Sequence, residues 1–158
     1  MLPLAAGFIS ERSDWIIDGV LVASVVLIPM LVAAFRHARA ARYLNHRNLM
    51  LATTALLAVA VTLVETDLRR KGMFAMTEGS RFHGTALLRW SAYVHIGLST
   101  AFGAWWCLLV AASWFKFPRP PRPIPFGRYH RWGGRIALVG MGLVGITGIE
   151  LYVVAFVL

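Results

Sequence analysis

The stretch WIIDGVLVASVVLIPMLVAAF, Trp15 to Phe35, decides the architecture: 21 residues with one charge, Asp18. At 1.5 Å per residue an α-helix of that length covers about 30 Å, the hydrocarbon thickness of a bilayer. Three more apolar runs follow, from Leu49 to about Val64, from Ala86 to Phe115 and from Ile136 to Leu158. With the flanking residues that lengthen them into the interfaces, the spans read as about 15–35, 47–66, 86–115 and 134–158. A backbone in lipid must satisfy its own hydrogen bonds, so each run is expected to be helical, with Pro29 a candidate kink in the first. The expectation is therefore an all-α, integral-membrane, up-and-down four-helix bundle, one domain over residues 1–158.

Composition agrees with this reading. Hydrophobic residues make up 58% of the chain and its mean hydropathy is +0.65, more than a soluble domain of 158 residues could hide in a core. Four spans and short loops leave no room for a globular ectodomain. Met1 to Ser10 carries no basic stretch ahead of a short apolar core, so the first span is expected to be its own insertion signal.

The net charge of +9 does not point to nucleic acid, because the cations sit in blocks between the apolar runs. The segment from Arg36 to Arg47 and the Pro-rich segment from Lys116 to Arg135 are basic without an acid, which suits cytoplasmic loops and anionic lipid headgroups. Both termini are then expected outside, on the periplasmic face. The cluster Arg69-Arg70-Lys71 runs against this orientation and is offset by Glu65, Asp67 and Glu78. The single cysteine, Cys107, excludes an intrachain disulfide and any CxxC metal or haem-attachment motif.

Ionisable residues within a span cost about 2.5 to 3.5 kcal/mol at the helix centre, so each is a candidate for function. Counted from the cytoplasmic ends, Asp18, Glu65, His95 and Glu150 fall in one layer toward the outer leaflet, one from each span. His95, Glu150 and Glu65 are the candidate metal ligands there, against the plainer reading that the carboxylates sit among headgroups or pair with Arg69 and Arg89. A second layer lies at the cytoplasmic face, where His46 and His130 open spans two and four and His37 closes span one. Two histidines at equal depth on different helices suit the two axial positions of a b-type haem, and equally copper or zinc. The plainer reading of a His-Arg pair at a helix mouth is an anchor for lipid phosphates. Met73, Met76 and His83 in the outer loop are a weak copper(I) set. Gly140, Gly142, Gly145 and Gly148 are expected to form a small-residue face for close helix approach. No Ser-His-Asp pattern, phosphate-binding glycine loop or H-E-x-x-H motif occurs, and nothing points to a hydrolase.

The run His46-Arg-Asn-Leu-Met-Leu, then Ser80-Arg-Phe-His-Gly, Tyr93-Val-His95-Ile-Gly-Leu, Tyr129-His130-Arg-Trp-Gly-Gly-Arg and Gly145-Ile-Thr-Gly-Ile-Glu-Leu-Tyr152, resembles the small four-helix membrane proteins grouped as domain of unknown function 420, the CtaM/YozB-like family. The resemblance covers roughly Leu44 to the C-terminus. It implies an accessory factor for assembly of a haem-copper respiratory oxidase in a bacterial inner (plasma) membrane, and it points to His46, His95 and His130. Glu65-Thr66-Asp67 and Glu150 depart from the family's pattern. The expected function is thus a non-enzymatic membrane assembly factor that handles a metal. The alternatives are an electron-transfer protein with haem b on His46 and His130, and a structural subunit of a respiratory or photosynthetic supercomplex. The expected partners are membrane lipids and an oxidase or other membrane complex, not nucleic acid.

Overall fold

The structure, a computed structural model, describes residues 7–158. Four long helices account for most of it: α1 (Trp15–Arg39), α2 (Tyr43–Lys71), α3 (Ala86–Lys116) and α4 (Gly127–Tyr152). A single 3-10 turn, Ala75–Thr77, lies between α2 and α3, and α4 runs on into a π-helical turn, Val153–Val157. There is no strand among the described residues. All four helices are long and apolar enough to cross a membrane.

Consecutive helices are antiparallel, and they pair as two hairpins, α1 with α2 and α3 with α4. The bundle therefore has a turn end, made of the three-residue α1–α2 connection and the α3–α4 loop, and a termini end, where the start of α1 meets the last turn of α2 and the chain's C-terminus. Its middle is a cluster of Leu31, Trp106 and Ala137, flanked by Met50, Leu57, Leu109 and Met141. Indole groups tie the helices across this cluster: Trp106 donates to Thr54 Oγ1 of α2 at 3.0 Å, and Trp105 donates to the Gly133 carbonyl of α4 at 3.1 Å. Each such bond contributes about 1 kcal/mol.

Much of the apolar surface faces outward. Phe115, Ile146 and Leu108 are 82%, 67% and 66% exposed. Water would penalise such a surface at about 25 cal/mol per Å², whereas acyl chains would not.

The helices are longer than the apolar runs at their polar ends. In α2 the last turn carries Arg69, Arg70 and Lys71, cations that the C-terminal end of the helix dipole favours. Gly72, at φ 85°, ends it. Helix α4 starts at Gly127 rather than near 134, and Gly133 sits inside it because a Cβ there would come within 2.9 Å of Leu109 on α3. The small-residue face differs from the expected one. Gly140 lies against the Phe102 ring and Gly148 against His95, while Gly142 and Gly145 face open space. The reason is helical phase, since 142 and 145 lie 200° and 140° from 140 at 100° per residue.

The termini end is closed by hydrogen bonds. Asp14 caps α1 by accepting from the Ile16 and Ile17 backbone N–H groups. Its second oxygen meets Lys71 at 2.6 Å, and Lys71 also pairs with Asp67 at 2.8 Å. Asp18 has no exposed surface. It accepts from the Ser13 hydroxyl, from Tyr152 OH at 2.7 Å and from the Ile9 N–H at 2.6 Å. The last turn of a helix leaves carbonyls without helical partners. Two of them are taken by serines, Phe156 O by Ser10 and Val154 O by Ser80, at 2.6 and 2.7 Å.

Candidate functional site

At the turn end, one histidine from each hairpin reaches the bundle's interior. His46 is in the first turn of α2, and its Nδ1 lies 2.9 Å from the Ala34 carbonyl of α1, a residue with no exposed surface. A carbonyl only accepts, so that nitrogen carries the proton. His130 is in the first turn of α4, and its Nδ1 lies 2.9 Å from Ser113 Oγ of α3. The two ring centres are 6.0 Å apart, meeting edge-on with 77° between their planes. Phe117 and Phe126 pack their rings against His130 at 5.3 and 6.5 Å. All four helices thus contribute to one small constellation.

Its chemistry follows from which nitrogens are used. Each imidazole is oriented through Nδ1, and neither Nε2 has a hydrogen-bond partner among the described residues. Among the described residues no fully enclosed side-chain nitrogen or oxygen lacks a partner either, so both Nε2 atoms are reachable rather than sealed. An imidazole held through Nδ1 with Nε2 left open is the arrangement in which histidine usually serves as a metal ligand. Two imidazoles on one ion at about 2.0 Å each leave their ring centres at most about 6 Å apart, the separation found here.

Donor number narrows the choice of guest. Among the described residues no three His, Cys, Asp or Glu side chains converge on a point that could hold a metal. A tetrahedral structural zinc site needs four protein ligands and does not fit. The pair fits a guest that asks only two donors of the protein: a two-coordinate copper(I), or a haem iron whose porphyrin supplies the other four.

The outer-layer residues do not form one ligand set. Glu65 is half exposed and bonded to Arg69 one turn away, with 2.6 Å between them. Glu150 is exposed and accepts from Ser91 of α3 at 2.8 Å. His95 lies 3.0 Å from Thr147 Oγ1 of α4, with Ser99 3.4 Å from its other nitrogen. These contacts fasten α3 to α4 and leave Glu65 on a different hairpin. Asp18, the fourth member of that layer, is buried as a hydrogen-bond acceptor rather than solvated. In the α2–α3 connection His83 Nδ1 lies 3.1 Å from Thr77 Oγ1, an internal tie of that loop.

Charge distinguishes the two ends as well. Ten of the sixteen Lys and Arg residues lie between Arg36 and Arg47 or between Lys116 and Arg135, at the turn end, and all seven carboxylates lie in the other half. No family model, characterised protein or solved structure matches the chain. The site therefore stands on its own geometry.

Sequence reasoning placed His46 and His130 at one depth but missed what orients them. Ser113, one turn before the end of α3, carried no signal beyond being a polar residue in an apolar run. The Ala34 carbonyl is a backbone group and carries none at all. Phe117 and Phe126 bracket the Pro-rich loop, and that symmetric placement was the available clue.

Proposed function

We propose that this chain is a multi-pass protein of a bacterial inner membrane, with its turn end in the cytoplasm and both termini outside, that holds copper(I) between His46 and His130 on behalf of a haem-copper respiratory oxidase under assembly. The histidine pair carries the reading: two imidazoles from different hairpins, each fixed through Nδ1, with Nε2 open. The orientation is supported by the concentration of unpaired cations at the turn end. The link to oxidase assembly rests on the resemblance of the His46, His95 and His130 segments to domain of unknown function 420. Deleting the gene should lower the copper content of the oxidase while transcripts of its subunits stay unchanged. Normal oxidase copper in the deletion strain contradicts the proposal.

One observation favours a second reading, electron transfer by haem b on the same two histidines. The Phe117 and Phe126 rings beside His130 provide an aromatic wall of the kind a porphyrin packs against. A Soret band in the purified protein, with an α-band on reduction, selects haem. A colourless protein that binds copper selects the first reading.

A further inference from the structure

Away from the histidines, α2 and α3 leave an apolar groove of about 390 Å³ between them, lined by Leu51 and Thr54 on one side and by Cys107, Ala111, Trp114 and Phe115 on the other. From Cys107 to Phe115 it runs about 12 Å along α3. Its only hydroxyl is already used, since Thr54 Oγ1 donates to the Met50 carbonyl and accepts from Trp106. The lining therefore offers a guest dispersion contacts and almost no hydrogen bonds.

The turn-end mouth of the groove is different. The Arg119 guanidinium lies over the Trp114 ring, 4.2 Å from its centre, which places a cation against the groove's own wall. Arg47 is one helical turn before Leu51 on the same face of α2. Among the described residues its side-chain bonds are long ones, 3.4 Å, to the neighbouring Asn48. Among the described residues neither arginine pairs with a carboxylate, and the ion pairs are all at the other end of the bundle. An apolar slot that opens on two unneutralised guanidiniums has the polarity of a phospholipid: an oily chain below, an anion above.

We propose that this groove binds one acyl chain of an anionic phospholipid, with the lipid phosphate held by Arg47 and Arg119. The size agrees: at roughly 30 Å³ per methylene, about the share of one water in the liquid, the groove holds about a dozen methylenes, most of one chain. A second copy of this chain would bring the same cations to the same mouth. This inference rests on the membrane location proposed above but not on the histidine site.

The test uses the full chain purified from membranes in mild detergent and examined by native mass spectrometry, with phosphatidylglycerol and phosphatidylcholine of identical chains as probes. The wild type should retain one phosphatidylglycerol per chain, with about tenfold preference over phosphatidylcholine. The double variant Arg47→Gln/Arg119→Gln should lose that preference, and Ala111→Trp, which fills the groove, should lose the bound lipid. A measurement on wild type alone guards against misfolding of the variants: in delipidated protein, added phosphatidylglycerol should slow alkylation of the exposed Cys107 thiol severalfold, and phosphatidylcholine should not. Equal retention of both lipids, lipid retained by Ala111→Trp, or a wild-type dimer that Ala111→Trp breaks would overturn the site. Release of the protein from membranes by an alkaline carbonate wash would instead overturn the membrane location on which it rests.

Discussion

At the termini end of the bundle, Asp14, Asp18, Lys71, Tyr152 and the serines at 10, 13 and 80 all answer one another or a backbone group. At the turn end, His46 and His130 are each held by one nitrogen and keep the other free. The difference between the two ends is one of completeness. A saturated network can only hold helices together. An arrangement that is oriented yet unsaturated has capacity left for a ligand.

The contrast can be broken by substitution, and the largest effect is expected at the closed end. Asp18→Ala removes the short acceptor contacts of the buried Tyr152 hydroxyl and the Ile9 N–H and should cost about 3–5 kcal/mol, read as a lower thermal midpoint in detergent with metal binding per folded chain unchanged. His130→Ala should do the reverse: copper affinity falls about 100-fold or more, while stability falls by no more than about 2 kcal/mol. Gly140→Ala drives a methyl into the Phe102 ring and should destabilise by about 1–3 kcal/mol, checked by thermal unfolding. Ser113→Ala frees the His130 ring to rotate and should weaken copper binding about tenfold with little change in stability, which separates orientation from ligation.

The smallest effect is a pH dependence at the closed end. Burial acts to raise the Asp14 carboxyl, but the Lys71 ammonium and the Ile17 N–H outweigh it and hold it below the usual 3.8. A carboxyl depressed by folding contributes its stability in full above 3.8 and loses it as the pH falls through the lower folded value. Asp14's share of the midpoint, read as the difference between wild type and Lys71→Met at each pH, should therefore hold steady above about pH 5 and decline below.

The helices were legible because a membrane-length apolar run has few alternatives in structure, and His46 and His130 could be paired because equal depth follows from counting residues. Depth alone misled at the other end. Asp18, Glu65, His95 and Glu150 share a layer, but rotation about each helix axis decides whom a side chain meets, and it sends Glu65 to Arg69 and Glu150 to Ser91. The Lys71–Asp67 pair was readable as an i, i+4 contact, while its link to Asp14, 57 residues away, needed the packing of α1 on α2. The glycines show the same limit: Gly140 and Gly142 look equivalent in sequence, and only phase tells which one α3 approaches.

The central claim is that the turn-end imidazoles together hold a metal. It is tested most directly by elemental analysis and a visible spectrum of the detergent-purified protein, beside His46→Ala and His130→Ala carried through the same purification and copper reconstitution. The account predicts about one copper per wild-type chain, a colourless preparation, and loss of the metal in both variants while their helical content stays intact. A wild type that binds neither copper nor haem, or variants that bind as much copper as the wild type, would contradict it.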